Sequence, residues 1–585
     1  MKKVLFFAVF LTSAVFIISF MAKYSEARPV VVMSGDSTTE QGMNKTAHTN
    51  ESGIYTNPVI PGDWSDPGVV RVGEDYYTVR SSFGWQPGLH IAHSKDLIHW
   101  KYIGFADTQN AGELSHGITE RGIWGSDIGY NPNNKTFLVY APVIGGGIRV
   151  FSSSKPEGPY KDEGKLVDGY DPGFFAADDG SLYLTKAGGQ VYRLTSDGLR
   201  IDGDPVVTVA GGEGPEIFKS NGYYYYLISP GGTRPYQDHM IMSYRAKTLN
   251  GPWQGDPKNP VMHATHTTNA KLQGPGHGEV FQASNGQWYL TYHAYELSHY
   301  SLGRQMCLEP VSWTDDGWWR PVNGRIPSEQ NQAPSLKQVA WQMQDSDEFD
   351  SAVLGKQWFF HTDPDYWSLT EKPGYLRIKT RQGDISSPTV AKNLFLQRVI
   401  HKKFDIVAEV TFDARQGNEA AGIHLYHDPD KSIWLTTTVV DGQKMFEVGF
   451  RDKPFESDVD PALLNPKEIN KTYSTAPKVR KVLAREKNTI GNTVFLKMAI
   501  DGHEQVSFFY SADGKGWTAI GSKVNFGDSW HCSRLGKKPG SPDLGWVGCG
   551  RDNVWTGTVM GVFACKNGAE NSKNADFKSF KIIKN

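Results

Sequence analysis

Gly73-Glu74-Asp75-Tyr76-Tyr77 is a tight turn that runs at once into a short aromatic strand. The same device returns at Asn134-Lys135-Thr136-Phe137-Leu138, Gly180-Ser181-Leu182-Tyr183-Leu184, Gly222-Tyr223-Tyr224-Tyr225-Tyr226 and Gly286-Gln287-Trp288-Tyr289-Leu290. Each copy is followed by a polar hairpin: Ser94-Lys95-Asp96 to Trp100, Ser154-Lys155-Pro156 to Tyr160, Ser196-Asp197-Gly198-Leu199, Ala246-Lys247-Thr248 to Trp253, and Thr314-Asp315-Asp316-Gly317-Trp318. Paired strand signals that recur in order, with no amphipathic helix between them, are the pattern of propeller blades, because each small sheet buries its faces only against its neighbours. Five pairs predict an all-β, five-bladed β-propeller. The competing architecture is a sandwich that reuses the same turn chemistry.

An acid precedes each aromatic strand at nearly constant distance. Asp66 lies 10 residues before Tyr76, Asp127 10 before Phe137, Asp171 12 before Tyr183, Glu216 9 before Tyr225 and Glu279 10 before Tyr289. If the repeats superpose, the five acids ring one channel mouth. Crowded carboxylates repel, so at least one is expected to keep its proton near neutral pH. Two carboxyl groups with pKa values pushed apart are what acetal cleavage uses, one as acid for the leaving oxygen and one as base for water. The repeat alone does not choose which acids act.

The whole chain sets the frame for that chemistry. At 585 residues it exceeds a single core, and 61 basic residues against 63 acidic ones exclude a broad nucleic-acid or anionic-lipid surface. Aromatic residues make up 12% of the chain, which suits strands and the stacking of sugar rings. Met1-Lys2-Lys3 followed by the apolar run Val4 to Met21, with Ser25-Glu26-Ala27 after it, has the form of a secretory signal over residues 1–27, and export implies a secreted or periplasmic protein. An uncleaved membrane anchor is the alternative. Residues 28–53 read as a flexible leader. Four cysteines are too few and too scattered for a disulfide framework or a zinc site, although Cys532 and Cys549 are candidates to pair after export.

Further along, the polar stretch Ser328 to Leu336 separates the propeller, assigned to residues 54–327, from a second domain; the linker is placed at 328–341 and the domain at 342–585. Asp405 to Phe412, Gly422 to Tyr426 and Thr493 to Ile500 alternate apolar with other residues, and turns such as Ser511-Ala512-Asp513-Gly514 join them. That is a β-sandwich pattern.

Several motifs carry a resemblance. Asn57-Pro58-Val59-Ile60-Pro61-Gly62-Asp63-Trp64-Ser65-Asp66-Pro67, Ser81-Ser82-Phe83, His93 to Trp100, Ile123-Trp124-Gly125-Ser126-Asp127-Ile128, Tyr170-Asp171-Pro172-Gly173, Glu213-Gly214-Pro215-Glu216-Ile217, Gly276-His277-Gly278-Glu279 and Gly303-Arg304-Gln305 together resemble glycoside hydrolase family 43 over residues 57–327. The resemblance implies an inverting hydrolase with Asp66 as general base, Glu216 as general acid and Asp171 as the carboxylate that orients the acid and raises its pKa. Asp127 matches a position that the family keeps without using it as acid or base. Arg304 matches a substrate-binding arginine, and its planar fork suits two sugar hydroxyls. His277 corresponds to a channel histidine that in some members helps hold a calcium ion; a buried core histidine is the equal alternative. No cofactor is otherwise implied. Trp124 and Trp85 are candidate walls of the sugar pocket, or core residues.

Two departures stand near the pocket. Trp64-Ser65 precedes Asp66 where the family usually has Tyr-Pro or His, and Gly125-Ser126 precedes Asp127 where Ala-Pro is common.

The second domain, through Asp347-Glu348-Phe349-Asp350, Leu394 to Arg398 and Ala421 to Tyr426, resembles the concanavalin A-like sandwich of the β-xylosidase branch. There it packs on the propeller and lends a loop to the pocket, for which Trp358-Phe359-Phe360-His361 or Tyr366-Trp367 are the candidates here; independent polysaccharide binding is the alternative. The expectation is an inverting exo-glycosidase that releases terminal β-D-xylose or α-L-arabinofuranose from plant cell-wall oligosaccharides or polysaccharides. The alternatives are a retaining fructan-type hydrolase, disfavoured because no Asn-Asp-Pro-Asn or Arg-Asp-Pro motif occurs, another terminal sugar, and a propeller that binds glycans without cutting them.

Overall fold

The structure, a computed structural model, describes residues 53–107, 122–143, 146–233, 237–265, 268–361, 364–382, 393–417, 419–428, 431–452, 481–526, 556–566 and 572–585. The expected signal, most of the leader, Cys532 and Cys549 lie outside them. No helix among the described residues is long and apolar enough to cross a membrane.

Five antiparallel sheets follow one another along the chain, each running in sequence order from its first strand outward. Their first strands are Gly68–Val72, Asp127–Asn131, Gly173–Ala176, Glu213–Ser220 and Leu272–Gln282. Four of the sheets have four strands, and the fourth takes an extra strand, Met262–His263, against Met240–Ala246. Each repeated turn falls between a first and a second strand, where the chain needs a left-handed residue: Gly73, Lys135, Gly180, Gly222 and Gly286 have φ of 65°, 61°, 81°, 74° and 83°. The aromatic residues after these turns stack between blades. Phe218 lies flat on Tyr225 within its blade and tilts onto Trp288 of the next, at 4.9 and 5.6 Å between ring centroids.

The stretch expected as a linker is not a free tether. Gln330–Gln332 forms a strand paired with Ile54–Thr56, and Ala333 and Leu336 pack against the core shared by the first and fifth blades. Burying those apolar side chains offsets the entropy of fixing the segment.

Beyond it stand two eight-stranded sheets face to face. Phe404–Phe412, paired on both sides by Thr493–Ile500 and Asn574–Lys584, is central to one, and Ala420–Asp428, between Val559–Lys566 and Lys431–Val440, to the other. Alternate residues such as Ile406, Ala408, Val410, Ile423 and Leu425 close the core between them. The sandwich docks on the propeller. Gln86 and Phe360 exchange backbone hydrogen bonds (2.9 and 2.5 Å), and the Thr558 amide donates to the Ser301 carbonyl at 2.7 Å.

Candidate active site

All five blades contribute to one cavity of about 280 Å³ lined by Asp66, Phe83, Trp124, Gly125, Tyr170, Asp171, Glu213, Thr233, His239, His277 and Arg304. Its acids are set by a repeated backbone turn. Asp66 and Asp171 each have left-handed φ (53° and 49°) and are followed by Pro and Gly, as Asp66-Pro67-Gly68 and Asp171-Pro172-Gly173. Gly214, with φ 52° and Pro215 behind it, is the same turn in the fourth blade, and His277, φ 50°, occupies the corresponding place in the fifth. In the first and third blades the ladder begins two positions later, at Gly68 and Gly173.

Asp66 is buried and heavily bonded. Arg304 Nη1 and Ser81 Oγ donate to its two oxygens at 2.5 Å each, and His277 Nδ1 lies 3.5 Å from Oδ1. Burial by itself would raise its pKa, but the Arg304 guanidinium above all holds it well below the usual carboxylate range. Its amide donates to His293 Nδ1 at 3.2 Å; Nε2 of that ring lies 3.3 Å from His239 Nδ1, and His239 Nε2 3.2 Å from the Ser229 carbonyl. Burial pushes His293 down to about 4 and His239 well down, so both rings are neutral and the row runs in one direction, each N–H donating to the next acceptor.

Asp171 Oδ2 accepts the Gly214 amide at 3.0 Å, which ties it beside Glu213. Burial raises its pKa, and Asp66 raises it further against His277. Glu213 keeps 37% of its side chain exposed to the cavity, while its Oε2 is buried without a hydrogen-bond partner and 3.9 Å from His239 Nε2. Burial, then the charges of Asp171 and Asp66, push its carboxyl up to about 8. The pocket thus holds one carboxyl pulled down by an arginine and one pushed up by burial and its acidic neighbours.

Glu216, expected to be the acid, is elsewhere. It pairs with Leu227 directly after the bulge in its ladder, a place occupied in the other blades by Gly68, Asp127, Gly173 and Glu279. A bulge between Glu213 and Glu216 separates the two acids by a turn that counting along the chain does not see. Glu216 is 4% exposed and absent from the cavity wall; burial and the nearby Asp127 and Glu279 raise its pKa well above normal. The five acids therefore form two sets rather than one ring. Asp127 and Glu279 tie blades together, accepting the amides of Phe174 and Val69 at 2.6 Å each.

Trp85 also departs from expectation. It is 4% exposed and packs against Phe359 and Tyr426 of the sandwich, while Phe83, two residues earlier, faces the sugar-sized hollow. Trp124 is in the wall, edge-on to Tyr170 at 6.5 Å. Trp358 donates to Asp347 at 2.8 Å inside the sandwich, and no described residue of the sandwich lines the cavity. His277 Nε2 is buried without a hydrogen-bond partner, yet the described residues include no group of three or more His, Cys, Asp or Glu arranged to hold a metal. A calcium ion takes six to eight oxygen ligands.

Of the residues singled out from sequence, Asp66, Asp171, Arg304, Trp124 and His277 come together. Glu213, Phe83, Tyr170, Thr233, His239 and His293 were missed as site residues. Glu213 had a signal, standing three residues before Glu216 in the same motif.

Two carboxyl groups displaced in opposite directions within one cavity are what glycoside cleavage uses. Residues 55–319 match the Glycosyl hydrolases family 43 domain and residues 346–583 the Beta xylosidase C-terminal Concanavalin A-like domain. The chain belongs to glycosyl hydrolase family 43. It is 31% identical to a non-reducing end alpha-L-arabinofuranosidase of Bacteroides ovatus over 67% of this chain and 77% of that one, and 25% identical to a xylan 1,3-beta-xylosidase of a Vibrio species over 80% and 91%. Among solved structures, the family 43 protein BlXynB of Bacillus licheniformis superposes with a TM-score of 0.76 at 30% identity, over 91% of this chain and all of that one.

Proposed function

We propose that this hydrolase removes a single terminal pentose, β-D-xylose or α-L-arabinofuranose, with inversion. Glu213 gives its proton to the departing oxygen. Asp66, ionised, takes a proton from the water that attacks the anomeric carbon from the opposite face; Asp171 holds Glu213 in place and keeps it protonated. Arg304 and the Trp124–Tyr170 wall grip the ring. The observation that carries this reading is the opposite displacement of two carboxyl groups in one cavity, Asp66 down and Glu213 up to about 8. The pentose follows from relatives bearing β-xylosidase and arabinofuranosidase names. Together with the charged start and apolar run at the N-terminus, a polymeric plant substrate favours an exported enzyme.

Aryl β-D-xyloside and aryl α-L-arabinofuranoside, assayed side by side with the released sugar followed by NMR, test the reading. The expected result is turnover of at least one and a first product of inverted anomeric configuration. Turnover of neither substrate overturns the pentose, and a retained anomer overturns the mechanism.

A further inference from the structure

The sandwich touches the propeller behind the pocket, at the two loops that deliver Asp66 and Arg304. On the first loop, Arg398 Nη1 donates to the carbonyls of Pro61 (2.9 Å) and Asp63 (3.4 Å), and Nη2 donates to Tyr102 Oη at 2.6 Å. The same guanidinium lies 4.9 Å from the ring centroid of Trp64, two residues before Asp66. Val399 presses so closely that a Cβ on Gly62 would come 2.3 Å from its carbonyl oxygen.

On the second loop, the Thr558 amide bonds the Ser301 carbonyl, Ser301 Oγ donates to Glu504, and Gly557 lies against Gly303. A Cβ on Gly557 would stand 2.7 Å from the Leu302 carbonyl oxygen and 2.6 Å from Asp63 Cβ, so both loops and the sandwich meet at one point. Within the propeller the loops are joined by the Trp64 amide donating to the Arg304 carbonyl at 2.8 Å and, at the tip, by Arg304 Nη1 on Asp66 Oδ1.

We infer that the sandwich is a brace for the catalytic pair, and that Arg398 is a positioning residue that fixes the loop bearing Asp66 against the loop bearing Arg304. Arginine suits the task because its rigid fork reaches two carbonyls and a phenol while its face lies on an indole. Arg398 is 2% exposed, and a cation so buried keeps its place only while those partners are met. The sandwich thereby acts on chemistry to which no described residue of it is exposed. The inference rests on Asp66 as the base, which Asp66→Asn tests separately: full activity in that variant would remove the reading, whatever Arg398 does.

Arg398→Met, Arg398→Lys and Tyr102→Phe are to be compared in the full-length chain with Phe446→Leu, a sandwich-core substitution that lowers stability away from the junction. Arg398→Met is expected to lower kcat on the order of 10–100-fold, as displaced reacting groups do, with KM moving less. The acid limb of its kcat/KM profile is expected to shift upward as Arg304 loses its hold on Asp66. Arg398→Lys should recover part of both effects, Tyr102→Phe should shift them in the same direction by less, and Phe446→Leu should lower Tm and leave the acid limb in place. Wild-type kcat and acid limb in Arg398→Met, or a shift matched by Phe446→Leu, overturns the proposal. If Arg398→Met does not fold, an unmoved acid limb in Tyr102→Phe overturns it.

Discussion

Asp66, Asp171 and Glu213 share a cavity, whereas Asp127, Glu216 and Glu279 sit two or three residues further along corresponding turns and are absent from its wall. Both sets are crowded, but their partners differ. The first set has Arg304, so charge can be divided: Asp66 is held ionised and Glu213 is driven up to about 8. The second set has no cation among the causes that shift it; its carboxyls are all raised chiefly by burial, Asp127 to about 7, and the charges of neighbouring acids add to the rise of Glu216 and Glu279. One arginine thus separates a set that can run acid–base chemistry from a set that can only keep its protons and join blades.

The sharpest way to break this comparison is to remove one carboxyl from each set. Asp66→Asn and Glu213→Gln should lower kcat on xylo-oligosaccharides or arabino-oligosaccharides on the order of 10²–10⁴-fold, the usual yield of a placed proton transfer. Glu213→Gln should lose far less on aryl glycosides with good leaving groups, which need little protonation. Glu216→Gln should retain kcat to within roughly threefold, since surfaces and cores away from reacting atoms tolerate isosteric change. A large loss in Glu216→Gln that is spared on activated substrates, beside a mild Glu213→Gln, would reverse the assignment.

How much of this division was open to a reader of the sequence follows from what repeats and what does not. Turn-plus-aromatic stretches repeat because every blade meets the same packing problem, so the blade count and the approximate place of Asp66 and Asp171 are readable. Which glutamate lines the cavity is not, because Glu213 and Glu216 flank a φ 52° glycine and a bulge, and a three-residue offset in sequence decides which of them reaches the wall. Trp85 shows a second limit. An aromatic beside Phe83 in a family motif reads as a pocket wall until the sandwich, remote in sequence, supplies Phe359 and Tyr426 to cover it. The row from Asp66 through His293 and His239 has no signal at all, since its members lie 227 and 54 residues apart.

A smaller change sharpens the comparison from the side of the pocket. Gly125 is one of the departures from the family's common Ala-Pro, and a Cβ there would stand 2.4 Å from Asp171 Oδ1 and 2.8 Å from His277 Cε1. Asp171 therefore occupies space that an alanine would claim. Gly125→Ala should displace the carboxylate that holds Glu213 and lower kcat by about tenfold, less than loss of the acid itself. Steady-state kinetics on one poor and one good leaving group checks it, the poor one being expected to suffer more.

The pH profile tests the charge division without any substitution. With Asp66 as the proposed base and Glu213 as the proposed acid, kcat/KM should hold through neutrality and fall as pH rises past about 8, where free Glu213 loses its proton. Its acid limb should lie below the usual carboxylate range because Arg304 depresses Asp66. An alkaline limb near pH 5 would show that Asp171 and Asp66 do not hold the proton on Glu213.

The inner set should appear in stability rather than in rate. Groups whose folded pKa is raised contribute fully at pH values below their unfolded pKa, and that contribution is lost as pH rises toward the folded one. For Asp127 the window runs from about 4 to about 7, and Glu216 and Glu279 are shifted in the same direction. At ~1.4 kcal/mol per pKa unit, the loss is on the order of a few kcal/mol. Asp127→Asn stays neutral throughout, but its amide group cannot accept both the Ile128 and Phe174 N–H that the carboxyl receives at 2.7 and 2.6 Å. It should therefore be less stable than wild type at pH 5 and recover relative to it by pH 8, with kcat unchanged at either value. Thermal unfolding at the two pH values measures that crossing. A Tm difference independent of pH would mean that Asp127 is charged in the folded protein and that the inner acids are paired by something other than shared protons.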